Sequence, residues 1–176
     1  MIELTGIPTL ETERLILRPP RPEDTEACVA FYASERSSMV GGPANAHDAW
    51  GIMARMLGHW AIRGFGLFAV TVKGDDRIRG AIGHWTPGTR PENEIGWAIW
   101  DPELEGKGYA HEAALVCRSY AYEVLDWDTA VSYIAYGNDR SVALAERLGA
   151  WEDLEAPRIE GREHHVYRHP GPEALA

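Results

Sequence analysis

The chain has 176 residues, 45% hydrophobic and 25% charged, with a formal net charge of −10. That length and composition predict one globular domain, able to bury its own core without disulfides or metals. The acidic balance argues against nucleic-acid phosphate binding, which needs a basic footprint, and suits a protonated amine drawn in by electrostatic steering.

No apolar stretch, Leu67 to Val72 included, is long enough to span a bilayer, so no membrane partner is expected. The segment Met1 to Leu10 lacks the basic and then apolar pattern of a secretory leader. A reducing cytoplasmic setting is therefore expected, with Cys28 and Cys117 as buried thiols.

In chain order, residues 14–18 alternate like a strand that Pro19, Pro20 and Pro22 terminate. Pro22-Glu23-Asp24 then opens a helix running to about Ser34. After the break at Gly41-Gly42-Pro43, Asn45 caps a second helix with Trp50, Met53, Ala54, Leu57 and Ile62 at helical spacing. Leu67–Lys73 and Ile78–Trp85 read as a hairpin turning at Gly74-Asp75-Asp76. A strand at Glu94–Trp100 and a helix from Gly108 to Val124 follow, with Ala113, Val116, Cys117, Tyr120 and Val124 on the helix stripe. A strand at Ala130–Ala135, a helix at Arg140–Leu148, and strands near Trp151–Leu154 and His164–Arg168 complete the chain. The order predicts an α/β domain whose mixed sheet is covered by helices on both faces.

The most informative segment runs from Glu94 to Ala114, where a strand ends at Pro102 and a loop with Gly106 and Gly108 enters a helix. Glycines let backbone N–H groups close on a phosphate, the helix N-terminus adds partial positive charge, and Lys107 can add a full one. The spacing fits neither GxxxxGK[ST] nor GxGxxG with a downstream ribose-binding acid. A glycine-rich connection without a ligand would have the same spacing.

This segment resembles the acetyl-CoA-binding motif Q/R-x-x-G-x-G/A of the GNAT N-acetyltransferases. It reads Glu105-Gly106-Lys107-Gly108-Tyr109-Ala110 here. Leu10 to Arg18, Ile78-Arg79-Gly80-Ala81-Ile82-Gly83, Asn138-Asp139-Arg140-Ser141 and Arg147-Leu148-Gly149-Ala150 are similar to the RimJ/RimL-like branch in the same order. The resemblance spans residues 9–169 and implies a single acyl-CoA N-acyltransferase domain over 9–171, with a mostly antiparallel sheet whose central strands splay. It also implies acetyl-CoA as co-substrate and a primary amine as acceptor, on a small molecule or a protein N-terminus; pairing of two copies stays open.

Two departures stand out. Glu105 takes the place of Gln or Arg, which sets an acid beside a pyrophosphate. Where many members carry a tyrosine acid, the alignment puts Ala145. Both features leave open a non-catalytic binding module as the alternative.

By resemblance, the backbone of Trp97, Ala98 and Ile99 would hold pantetheine, with an N–H at Ala98 or Ile99 as oxyanion donor. Such a donor is worth about 3–4 kcal/mol elsewhere. Asn138 would cap a helix or touch the pantetheine arm, and Ser141 would relay a proton to the thiolate. Glu94, opening the cofactor strand, is the candidate base, against the plainer reading of a strand-end carboxylate. An α-amine with pKa near 8 is neutral in roughly a tenth of molecules at pH 7, whereas lysine is so in under about one in a thousand. No histidine pattern suggests a metal: His164 and His165 are adjacent on one strand and face opposite ways. Trp50, on a helix that would wall the acceptor pocket, is a further candidate for substrate contact.

Overall fold

A computed structural model describes residues 5–88 and 90–175. Among these residues, eight strands form one mixed sheet in the order β1-β2-β3-β4-β5-β6-β8-β7. They are β1 (Leu10–Glu11), β2 (Leu15–Arg18), β3 (Leu67–Val72), β4 (Asp75–Trp85), β5 (Glu94–Ile99), β6 (Val131–Ala135), β7 (Trp151–Glu152) and β8 (His164–Arg168). The helices are α1 (Thr25–Tyr32), α2 (Ala46–Arg63), α3 (Tyr109–Glu123) and α4 (Asp139–Arg147).

Side chains alternate across the sheet and so divide the core in two. Phe31, Tyr32, Ala49, Met53 and Met56 of α1 and α2 pack on Ala69, Ala81 and Trp100 at one face. Ala113, Ala114 and Cys117 of α3 pack on Leu15, Leu17, Phe68, Val70 and Ile82 at the other. There Leu148, which follows α4, joins the cluster, and α4 sets Ala145 against Ile134 and Trp97.

Several expected boundaries shift. The first helix breaks into a 3-10 turn at Pro22–Asp24 and α1, and a second 3-10 turn occupies Glu35–Val40. The hairpin turns at Lys73-Gly74, because Asp75 and Asp76 already belong to β4. The stripe of α2 is also rotated: Ala49, Met53, Met56, His59 and Trp60 are buried, while Ile62 is 82% and Trp50 57% exposed. Trp60 explains the phase, since its indole N–H donates to the Leu67 carbonyl at 2.8 Å. On α3, Val124 is likewise exposed and Ala114, Arg118 and Ala121 are buried instead.

The junction of β5 with β6 positions the site. Every residue of β5 from Glu94 to Ile99 pairs with β4, and all of β6 pairs with β8. Between β5 and β6 the parallel ladder has one bridge, Glu94 to Val131. The next acceptor, the Ile95 carbonyl, takes a hydrogen bond from the Ser132 hydroxyl at 2.7 Å. A side chain stands there in the line of the ladder, and the strands part beyond it.

Candidate active site

The edge that β5 turns toward β6 follows from strand alternation. Asn93 accepts from the Val131 N–H at 3.0 Å and Ile95 from Ser132, so the backbone groups of Trp97 and Ile99 point into the gap. Ala98 faces β4 instead: it lies opposite Ala81, and its carbonyl oxygen would be 2.5 Å from a Cβ built on Gly80. Of the three backbone groups expected to serve the gap, Trp97 and Ile99 are turned to it. The Ala98 amide lies on the β4 side of the strand.

A cavity of about 770 Å³ opens at the parting of the strands, and Glu94, Trp97, Ala98, Asn138 and Ser141 all line it. Glu94 shares the face of Ala98, which packs against the α1 and α2 cluster. Trp97 points the opposite way, toward α3 and α4. Its indole Nε1 donates to the Ser141 hydroxyl at 3.1 Å. Ser141 in turn donates its backbone N–H to Asn138 Oδ1 at 3.2 Å, so Asn138 caps α4. A carboxyl therefore stands on one side of the gap and a hydroxyl on the other.

Glu94 is 7% exposed, and burial raises its pKa from 4.5 to about 7 against the opposing charges of Arg90 and Arg162 and the Tyr133 amide. Arg90 Nε lies 3.0 Å from Glu94 Oε2, yet neither buried atom has a hydrogen-bond partner, because the N–H is not directed at the oxygen. The pair is close in charge and poorly joined in geometry. A carboxyl titrating near neutrality is suited to taking up a proton there.

The glycine loop stands at the other end of β5, outside the lining of this cavity. A 3-10 turn at Pro102–Leu104 leads to Glu105, and Gly108 caps α3 with φ 82°. Gly106 has φ 70°, and a Cβ there would meet nothing within 4 Å, so its backbone borders open space. Both angles are left-handed, which only glycine adopts without strain. Arg14 holds the loop from below: Nη1 donates to the Lys107 carbonyl at 3.0 Å, and Nε to Glu112 Oε2 at 2.6 Å. Its guanidinium also lies 4.1 Å from the Tyr109 ring centroid, and Ala110 packs into the α3 core cluster. Open space over glycine N–H groups at a helix N-terminus fits a phosphate.

Glu105 is held by two arginines. Its two oxygens accept from Arg36 and Arg140, each at 2.6 Å. Burial alone pushes its carboxyl up, but the hydrogen bonds and charges of the two arginines hold it below the ordinary range. The acid that departs from the motif is thus neutralised by one arginine from the second 3-10 turn and one from α4.

Sequence reasoning missed Arg90, Arg162, Ser132 and the two arginines on Glu105. Arg90 and Arg162 sit in loops with no periodicity to mark them. Trp50 does not line the cavity; its indole is exposed on the outer face of α2.

With this geometry in view, the chain belongs to the GNAT acetyltransferase family: the family model described as "Acetyltransferase (GNAT) domain" matches residues 14–150. An acetyltransferase from Agrobacterium tumefaciens strain C58 is similar at 39% identity and TM-score 0.88, over 97% of this chain and 98% of that one. RimL, a ribosomal L7/L12 α-N-protein acetyltransferase, shares the fold at 13% identity and TM-score 0.71, over 93% of each chain. A ribosomal-protein-S5-alanine acetyltransferase from Vibrio fischeri does so at 15% identity and TM-score 0.71, over 95% of this chain and 98% of that one. Among the described residues, no helix is long and apolar enough to cross a membrane.

Proposed function

We propose that the protein is one catalytic domain over residues 9–171 that transfers acetyl from acetyl-CoA to a primary amine by direct attack. The observation that carries this reading is the single bridge between β5 and β6. It leaves a gap with unpaired backbone along one wall, a carboxyl near neutral pKa on one face and a hydroxyl on the other.

Acetyl-CoA supplies a thioester carbonyl open to attack by a neutral amine. Gly106, Lys107, Gly108, Tyr109 and Ala110 hold its phosphates through backbone N–H groups, with the Lys107 charge in support. The Trp97 and Ile99 backbone grips the pantetheine arm, and one of these N–H groups faces the developing negative oxygen. Asn138 caps α4 with its Oδ1 and keeps its NH₂ for the same arm. Glu94 takes the proton from the amine on the α1/α2 side. Ser141 gives a proton to the leaving sulfur on the α4 side, the role that Ala145 cannot fill. Placing base and acid on opposite faces lets amine approach and thiol departure proceed without crossing. The pairing of Glu105 with Arg36 and Arg140 weighs against the non-catalytic reading, because two cations offset the acid beside the phosphate site. The setting is a reducing cytoplasm, consistent with two buried free thiols.

Acetyl-CoA should raise the melting temperature by mass action, and thiol release should require an amine. In Gly108→Val, whose left-handed position excludes a β-branched residue, the shift is expected to vanish while the protein stays folded. An undiminished shift in that variant would put the cofactor elsewhere.

A further inference from the structure

The cavity at the parting of the strands carries charges of both signs. Arg55, Arg90 and Arg162 line it together with Glu94, Glu160 and Glu163. Among the described residues, the only ion pair within this set joins Arg90 to Glu94. In that pair, Arg90 Nε and Glu94 Oε2 are buried without a hydrogen bond. The Arg90 side chain is 14% exposed, and its guanidinium carbon stands 5.2 Å from the Tyr133 ring centroid.

A buried guanidinium and carboxylate that fail to satisfy each other are costly to keep out of water. Both of those atoms are sealed from solvent, so a ligand meets the pair at its remaining atoms, bringing an anionic acceptor to the Arg90 guanidinium and an N–H donor to the second Glu94 oxygen. The 3.0 Å between Nε and Oε2 requires those two ligand groups to be neighbours. An amine and a carboxylate on one carbon meet that condition. An amine on a long chain, or one next to a neutral amide, does not. On the α2 side the wall carries Tyr32, Ile52, Met56, Leu67 and Trp85 beside Arg55.

We infer that the acceptor is a free α-amino acid with an apolar side chain: its carboxylate on Arg90, its amine at Glu94, its side chain against Met56 and Leu67. This rests on the proposed acetyl transfer and names the acceptor class for it. A polypeptide N-terminus replaces the α-carboxylate by a peptide group and brings no anion to Arg90.

The experiment uses matched acceptors with the intact protein and acetyl-CoA: leucine, leucinamide and isopentylamine, then phenylalanine, phenylalaninamide and phenethylamine. Thiol release should give the free acids at least a tenfold higher kcat/KM than either partner. Arg90→Met should cut that preference at least fivefold, through KM for the acids, and Arg90→Lys should restore part of it. If a variant does not fold, the wild-type ratios decide, together with the thermal shift that leucine and isopentylamine each give the CoA-loaded protein. Equal turnover of acids, amides and plain amines, or preference for a peptide N-terminus, overturns the inference and leaves acetyl transfer standing. A folded protein that binds acetyl-CoA yet releases thiol with no amine overturns the transfer itself, and this inference with it.

Discussion

The Trp97 indole N–H donates to the Ser141 hydroxyl oxygen at 3.1 Å, joining the strand that borders the gap to the first turn of α4. An indole can only donate, so the serine oxygen is the acceptor and its own proton remains to be given elsewhere. Ser141→Ala should therefore lower kcat about ten- to hundredfold, with acetyl-CoA affinity within about twofold of wild type. Trp97→Phe should lower kcat less, since the hydroxyl stays but loses its orientation. Stopped-flow thiol release beside equilibrium titration separates the two effects. Wild-type kcat in Ser141→Ala would return that residue to a capping turn.

Glu94 gives a prediction in both rate and stability. As a base with pKa about 7, it should make kcat/KM rise with pH and level off above neutrality. Glu94→Gln should lose most activity near pH 7 and regain much of it as pH approaches the pKa of the amine. The fold disfavours the charged form of this carboxyl, so its burden is absent below about pH 4.5 and complete above about pH 7. Glu94→Gln should thus be more stable than wild type at pH 8, by on the order of 3 kcal/mol, and nearly equal to it at pH 4. Urea denaturation at the two pH values measures the difference; equal stabilities at pH 8 would leave Glu94 as an ordinary carboxylate.

Glu105 is partly exposed, so its pairs with Arg36 and Arg140 should contribute little to stability. Its charge still opposes an approaching phosphate. Glu105→Gln should tighten acetyl-CoA binding about two- to fivefold at low ionic strength, with the gain lost in high salt. Weaker binding would mean that the carboxylate is needed to hold the two arginines in place.

Gly80 sits on β4 where a Cβ would lie 2.5 Å from the Ala98 carbonyl oxygen and 3.1 Å from the Ile99 Cα. Both neighbours are backbone, so β5 itself must move. Gly80→Ala should cost about 1–3 kcal/mol, as overpacking does, and reduce kcat/KM more than its stability loss explains. Denaturation and steady-state kinetics on the same preparation test this.

Much of the glycine loop was legible because its chemistry is backbone chemistry. The left-handed angles at Gly106 and Gly108 demand glycine, and that demand is written in the residue type. Asn138 was legible as a cap for the same local reason. The face of α2 was not, because a hydrogen bond from Trp60 to β3 sets its rotation, and helical spacing alone could not. The pairing of Glu94 with Arg90 was hidden too. Arg90 belongs to a loop without period, and its meaning arises only when β5 carries Glu94 down beside it. Ser132 looked like any small polar residue of a buried strand until the ladder was seen to stop at it.

That stop divides the molecule mechanically. β1 to β5 are one continuous weave and β6, β8 and β7 another, sharing a single rung at Glu94 and Val131. Force applied across the sheet therefore passes through helix packing, from α3, which lies on β4 and β5, to α4, which lies on β6. A molecule threaded along the seam and gripped from both sides would act as a rivet, so occupancy of the site would also stiffen the whole plate.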